Sequence, residues 1–592
     1  MTALPLRRDL AFVLHDWLDV SELCGRARFL DHDLETFDAV LGLAERLAHD
    51  RLAPHYRRND TEEPAFDGTT VHVHEGVRDG LAALANAGFI GAPLDEGMGG
   101  GQLPVTVATA CQLWFDSANV STSSYAGLTR ANAGLLARLG PSDLVNAYVP
   151  AMLTGRYTGT MCISESEAGS SVGDLQTRAA PAEDGTYRIT GQKMWISGGD
   201  HNLSENIIHL VLARRTGAPP GPRGVSLFCV PKLLPDGSPN DVAVSSLNHK
   251  MGWRGTTNTA LNFGDGTHRP GGAAGAVGHL LGEPERGLAA MFPMMNEARI
   301  SVGTSAVALG YAGYLESLEY ARSRRQGRPP GQRHLGGQPI PIIEHIDVRR
   351  MLLAQKSYVE GGLAFNLYCA RLVDEADTSP SAADRQRAAQ MLGVLTPVAK
   401  SWPSQWCLEA NHLAMQVMGG AGYTRDHTVE QRLRDNRLNM IHEGTHGIQA
   451  IDLLGRKVVA DGGLGWRATI ARVQQTVDTA IDRGGEPAEL SAPLEDAVHA
   501  LDLTATALWQ REDLDATLES ASLFLELFGH VLHAWVWLEM FLATGDRTDA
   551  FYEGKRQTAR YFFTHELPRT HRLLALLASR DTVVTGLDPD WL

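Results

Sequence analysis

One carboxylate set among a glycine, a hydroxyl and two imidazoles, in Ile441-His442-Glu443-Gly444-Thr445-His446-Gly447-Ile448-Gln449, is the segment of this chain best equipped for chemistry. Glu443 can accept a proton, and Thr445, His442 and His446 offer donors and acceptors beside it. Gly444 lets the backbone approach a bound group closely. Upstream lies a glycine-rich run, Gln416-Val417-Met418-Gly419-Gly420-Ala421-Gly422-Tyr423, suited to a flat or anionic ligand. By themselves both stretches also read as helix ends with ordinary capping residues. Three further segments bear on the choice: Met161-Cys162-Ile163-Ser164-Glu165-Ser166-Glu167-Ala168-Gly169-Ser170-Ser171, Gly191-Gln192-Lys193-Met194-Trp195-Ile196-Ser197-Gly198-Gly199, and Met294-Met295-Asn296-Glu297-Ala298-Arg299.

In this order and at these separations the segments resemble the acyl-CoA dehydrogenase family of flavoproteins, across residues 75–457. The region after residue 460, with the Met294–Arg299 run, is similar to the longer bacterial branch that includes methylthiopropionyl-CoA dehydrogenases. The resemblance implies a reaction in which an acyl-CoA thioester loses its α proton to a carboxylate and its β hydrogen, as hydride, to FAD. The product is the trans-2-enoyl-CoA, and an electron-transferring flavoprotein takes the electrons. Glu443 matches the base. The carbon acid is far weaker than a carboxylic acid of pKa about 4.3, so the site must make Glu443 more basic, which burial against an acyl chain would do. The enolate oxygen needs donors, which the resemblance assigns to the base's own N–H and a flavin hydroxyl.

The same resemblance distributes the remaining roles. Met161, Ile163, Ser164, Gly169 and Ser170 line the flavin and its phosphate; Trp195 and Ser197 lie along the ring, Ser197 near N5; Thr445 contacts the flavin. Arg324, Gln416, Gly419 and Gly420 reach the flavin of a partner subunit, which implies a homodimer. Ser170, Asn296, Arg299, His442 and Gly444 border the substrate. Each has a plainer reading: Trp195 as a core aromatic, Arg324 as a surface arginine with Arg322 and Arg325 as rivals, Arg299 as half of a salt bridge with Glu297 or another acid, His442 as a capping or packing residue. Glu165 and Glu297 are the alternative bases. The chain departs from the family at Ser166-Glu167, where Pro-Gly is common, at Ser171, where many relatives carry Asp, and at Arg324-Arg325-Gln326-Gly327-Arg328, which lacks the usual phenylalanine. An oxidase using oxygen would carry the same motifs.

The elements that must hold these residues follow from pattern. A chain of 592 residues exceeds one core. Residues 1–155 show helical periodicity, including Leu10, Val13, Leu14 and Trp17, then Phe37, Val40, Leu41 and Ala44, broken by the loop Pro93–Gly101. Residues 156–285 switch to short apolar or alternating runs, Tyr187–Thr190, Ile207–Ala213 and Val225–Val230, which predict a small barrel or sandwich. Residues 286–460 return to long helices around a Gly- and Pro-rich connector at 326–341, and 461–592 form an additional helical domain. The expected fold is therefore multidomain α with a central β domain; the resemblance makes it a helical domain, a β-barrel and a four-helix bundle, plus the extension.

Composition narrows the function classes. The net charge is −16, and residues 461–592 hold 21 acidic against 11 basic residues, which excludes nucleic acid as the partner of the extension in the manner of DNA-associated alkylation-response relatives. No apolar run is read as a membrane span; Leu523–Phe541 is strongly apolar and fits a bundle core helix, since His530, His533 and Glu539 argue against a span. The N-terminus lacks a signal peptide's apolar core. Six scattered cysteines show no metal or redox spacing, so no metal is expected, the thiols fit a cytoplasm, and Cys162 is read as a small buried side chain.

Overall fold

The computed structural model describes residues 7–329, 331, 338–510, 514–579 and 583–592. Part of the connector expected at 326–341 lies outside these residues. The chain divides into two compact units: Ala39–Pro104 with Trp114–Ala298, the β unit, and Met1–Asp38, Val105–Leu113 with Arg299–Leu592, the helical unit.

Helices α1 (Leu34–Leu47), α2 (Glu75–Asn86), α3 (Val105–Leu139) and α4 (Ser142–Leu153) lie ahead of the main sheet. Between α1 and α2 sits a small antiparallel pair, β1 (Ala65–Phe66) and β2 (Val71–His72), in a region expected to be all-helical. Its cause is local: Asp67 Oδ1 accepts from the Thr69 and Thr70 N–H groups, both at 2.8 Å, and Gly68 takes φ +98°. Such an Asx turn reverses the chain where no helical period can continue.

The main sheet comprises β3 (Tyr157–Cys162), β4 (Arg178–Pro181), β5 (Tyr187–Ser197), β6 (Asn206–Arg215), β7 (Val225–Pro231), β8 (Val242–Leu247), β9 (Asn258–Phe263) and β10 (Ala276–Leu281). Strand order is β10-β7-β6-β4-β5-β9-β8, and β10 also pairs with β5, so five strands close a ring. Closure leaves that ring no edge, which settles barrel over sandwich. Ile189, Ile196, Val211, Phe228, Val230, Leu261 and Phe263 fill its core. Cys162 is fully buried there, and burial pushes its thiol up to about 12, as an inert side chain would be.

In the helical unit, α6 (Ile346–Thr378) and α7 (Ala382–Met418) form a hairpin whose three-residue turn ends on Ser381, the cap that accepts from Asp384 N–H. They pack with the C-terminal part of α5 (Gly287–Ser323) and with α8 (Val429–Arg437). Gly303 and Gly310 of α5 sit where a Cβ would strike α7 at Ala399 and Cys407, so their absent side chains set the approach. After α9 (His446–Asp452) come α10 (Leu464–Arg483), α11 (Gly485–Trp509), α12 (Ala521–Ala543), α13 (Ala550–Tyr561) and α14 (Arg569–Ser579). By length and a mean hydropathy of 1.3, α12 is apolar enough to cross a membrane. Yet 83% of that stretch is buried inside the protein, which makes it a core helix.

Charges inside this unit are paired across distant segments. Lys555 of α13 meets Asp9 at 2.7 Å and Glu360 of α6 at 2.9 Å, all three about 1% exposed, and Glu360 also pairs with Lys356. Tyr311 donates to Asp9. Burial pushes the Asp9 carboxyl up, but Lys555 and Lys356 outweigh it and hold it lowered. Removing one member leaves uncompensated buried charge, at a cost of about 3–5 kcal/mol. Lys555→Met should therefore raise amide hydrogen exchange across Ala550–Tyr561 by about 100-fold or more. Unchanged protection would mean that the cluster does not hold the C-terminal helices.

Candidate active site

Between α8 and α9 the chain makes a 3₁₀ turn, Leu438–Met440, and then places two consecutive residues in left-handed backbone: Glu443 at φ +53° and Gly444 at φ +86°. Gly444 meets this freely, and a Cβ there would lie 2.6 Å from Gln449 Nε2. Glu443 cannot, so surrounding contacts must over-determine it. Three do. Lys400 Nζ of α7 donates to Asn439 O at 3.0 Å and Gly444 O at 2.7 Å. Gln449 Nε2 donates to Glu443 O at 3.0 Å. Thr445 caps α9, its hydroxyl accepting from Ile448 N–H at 3.3 Å, which leaves the hydroxyl proton free to donate elsewhere. Beneath the loop a chain of buried amides fixes the turn: Asn439 to Asn436 at 3.0 Å, Asn436 to Asn411 at 2.7 Å, Asn411 to Leu309 O at 3.0 Å.

The electrostatics at Glu443 oppose one another. It retains accessible surface, yet protein crowds its carboxylate, and that desolvation raises its pKa; Lys400 and Arg299 pull it back down. Arg299 is buried and paired with Asp452 at 2.8 Å, and Asp452 also binds Arg456 at 2.6 Å. The acid facing Arg299 is thus Asp452, while Glu297 is exposed. His442 Nε2 lies 3.2 Å from Asn439 Oδ1. Burial, with Lys400 nearby, pushes His442 down to about 3 and His446 down to about 4, so both imidazoles are neutral at pH 7. Among the described residues no hydrogen bond engages the Glu443 N–H.

Within the β unit, Met161 lies in β3, one residue before its end at Cys162, and Ile163 and Ser164 follow the strand; Met161, Ile163 and Ser164 are half-buried, and Gly169 and Ser170 are exposed. β5 carries a bulge between Lys193 and Ile196, and there Trp195 takes φ +64° with 61% of its surface exposed. A core aromatic would do neither, so that reading of Trp195 falls. Ser197 accepts from Asn258 at 3.5 Å. Lys193, fully buried, donates to Ile163 O at 2.9 Å and pairs with Glu165 at 2.9 Å. Glu165 also accepts from Gln176 N–H at 2.6 Å, Thr177 N–H at 3.0 Å and the Thr177 hydroxyl. Burial raises it, but Lys193 and these bonds hold it lowered, a structural anion ill-suited to take a proton. The exposed Trp195 and the open glycine loop can border a flat aromatic cofactor.

Arg324 lies at the end of α5 with its side chain exposed, and Gln416, Gly419 and Gly420 are exposed at the end of α7. A Cβ on Gly419 or Gly420 would meet nothing within 4 Å, and Tyr423 beside them is 82% exposed. Asn296 is half-buried on α5. Sequence reasoning missed Lys400, Gln449 and the role of Lys193. The signal available was a single lysine inside each of two otherwise apolar or motif-bearing runs, Val398-Ala399-Lys400-Ser401-Trp402 and Gln192-Lys193-Met194-Trp195.

Comparison with known proteins gives a consistent set of relatives. Residues 160–265 match the family described as "Acyl-CoA dehydrogenase, middle domain", 285–458 match "Acyl-CoA dehydrogenase, C-terminal domain", and 469–588 match "Acetyl-CoA dehydrogenase C-terminal like". The chain is 34% identical to the broad-specificity linear acyl-CoA dehydrogenase FadE5 of Mycobacterium tuberculosis, covering 98% of this chain and 97% of that one. It is 35% identical to the 3-methylmercaptopropionyl-CoA dehydrogenase of Ruegeria pomeroyi, over 81% of this chain and 80% of that one. Among solved structures, Caenorhabditis elegans ACDH-11 in complex with C11-CoA shares the fold at TM-score 0.78 and 18% identity, covering 98% of this chain and 94% of that one.

The Lys193–Glu165 pair yields a stability test. Lys193→Met strands a buried carboxylate, at a cost of about 3–5 kcal/mol, and should lower the thermal midpoint by about 10 °C. Adding Glu165→Gln removes the stranded charge and should recover more than half of that loss. A double variant no more stable than Lys193→Met would show that the pair is not what holds the Ile163–Glu165 segment.

Proposed function

The chain belongs to the acyl-CoA dehydrogenase family, and we propose on that premise that it catalyses FAD-dependent α,β-dehydrogenation of an acyl-CoA thioester to the trans-2-enoyl-CoA, with an electron-transferring flavoprotein as acceptor. The observation that carries the reading is Glu443: a carboxylate raised by desolvation, on a left-handed turn held by Lys400 and Gln449, beside an N–H that no hydrogen bond engages among the described residues. Raising the pKa makes the carboxylate a stronger base, and the two cations oppose that rise. The Glu443 N–H is a candidate donor to the thioester oxygen as it gains charge. The neutral His442 shapes the pocket wall without competing for the proton.

The residues present fit FAD. In the β unit Trp195 projects from its strand, Gly169 leaves room for close approach, and Ser164, Ser170 and Ser197 offer hydroxyls or peptide groups; in the helical unit Thr445 offers a hydroxyl. Met161 and Ile163 would pack against the ring. Bound FAD would supply the hydride acceptor that the chain lacks. Asn296, Arg299, Ser170 and Gly444 would border the acyl and pantetheine chain, Arg299 acting through its charge, since Asp452 already holds its guanidinium. The relatives named above act on linear acyl-CoA and 3-methylmercaptopropionyl-CoA, so short linear esters of both kinds are the first substrates to try. The six free cysteines fit a reducing cytoplasm.

Exposed Arg324, Gln416, Gly419 and Gly420 support a homodimer in which these residues reach the partner's FAD. Light scattering should then give a dimer, and Arg324→Ala should loosen FAD; a stable, FAD-saturated monomer would overturn this.

For the base itself, Glu443→Gln should keep the fold and the yellow FAD while slowing anaerobic bleaching by a saturated acyl-CoA by about 10²–10⁴-fold. Bleaching at the wild-type rate would transfer the role to another group. Reoxidation that is slow in air and fast with an electron-transferring flavoprotein would mark a dehydrogenase over an oxidase.

A further inference from the structure

We infer that Lys400 is the positioning residue of the proton-abstraction step: its ammonium clamps the backbone that carries Glu443 and faces the Glu443 carboxylate as a fixed positive charge. The inference rests on Glu443 being the base. Lys400 lies in the interior of α7 and is 0% exposed, where an ammonium is costly unless it is matched. Its hydrogen bonds run to two carbonyls, Asn439 O at 3.0 Å and Gly444 O at 2.7 Å, on either side of Glu443. Carbonyls carry only partial charge, and the carboxylate whose charge acts on Lys400 is that of Glu443. The influence is mutual. Burial lowers Lys400 to about 8 while Glu443 works to raise it, and Lys400 is the first of the groups that counter the desolvation of Glu443.

The other charges around the base do less. Arg299 of α5 faces Glu443 too, but Asp452 of α9 neutralises it at 2.8 Å, and Asp452 is shared with Arg456. Lys457 lies close enough to feel Asp452, Arg456 and Arg299. His442 and His446, on the loop itself, are held neutral. Lys400 is therefore the cation near the base that no acidic side chain already cancels. One group thus does two things: it holds the left-handed turn at Glu443 and Gly444, and it opposes the rise of the Glu443 pKa. Loss of the charge must raise Glu443 further, so its ionised fraction appears only at higher pH.

The test is anaerobic flavin bleaching by a saturated acyl-CoA in the full-length FAD-loaded protein, followed across pH for Lys400→Met, Lys400→Gln and Lys400→Arg. We expect Lys400→Met to move the acid limb of the bleaching rate upward by about one pH unit and to lower the plateau by about 10-fold or more as the base loses its alignment. Lys400→Arg, which keeps the charge, should leave the limb in place. A merely structural lysine would lower the plateau and leave the limb unmoved; that result overturns the inference. If Lys400→Met does not fold, Lys400→Gln, which keeps a donor without the charge, must show the same shift, and an unmoved limb there overturns it equally. Glu443→Gln runs alongside: wild-type bleaching in that variant defeats the base assignment, whereas an inactive Glu443→Gln with unmoved Lys400 limbs defeats only the role of Lys400.

Discussion

An ammonium group taken out of water has to be met by carboxylates or carbonyl oxygens, and this chain uses that requirement at three separate places. Lys193, Lys400 and Lys555 are each buried to within about 1% of full exclusion. Each joins segments far apart in sequence. Lys193 ties β5 to the loop after β3, Lys400 ties α7 to the turn before α9, and Lys555 ties α13 to α6 and to the N-terminal helix. Apolar contacts tolerate small slips in register, whereas a buried charge does not, because a displaced partner leaves it uncompensated. The glycine loop with Trp195 in the β unit and the Glu443 turn in the helical unit each sit directly on such an anchor.

The base turn shows why rigidity is needed there. A carboxylate in left-handed backbone, crowded by protein, is unfavourable twice over: in its dihedral angles and in its solvation. Gln449 on Glu443 O, Lys400 on Gly444 O and the amide chain Asn439–Asn436–Asn411 hold it against both tendencies. Desolvation raises the Glu443 carboxyl, and Lys400 and Arg299 oppose that rise.

The C-terminal extension acts on the same unit that carries the base. Its core helix α12 packs against α9 and α7, Trp509 donates to Leu454 O at 3.0 Å, and Trp537 donates to Ser357 O at 3.1 Å. The helix following Glu443 is thus backed by residues far downstream in the chain.

The sequence by itself determined the element types and the order of the motifs. Helical and alternating periodicity placed the β strands between two helical stretches, whereas the choice of Glu443 as base came from the resemblance of its motif and is a proposal. Periodicity missed the β1–β2 pair, where an Asx turn overrides the helical pattern. Only tertiary structure decided that Trp195 is displayed at a bulge, that Glu165 is a structural anion, that Arg299 belongs to Asp452, and that Lys400 sits under the base. Each of these is a contact between residues distant in the chain. Local pattern records which side chains can be buried, and only the fold decides which charge each buried group meets.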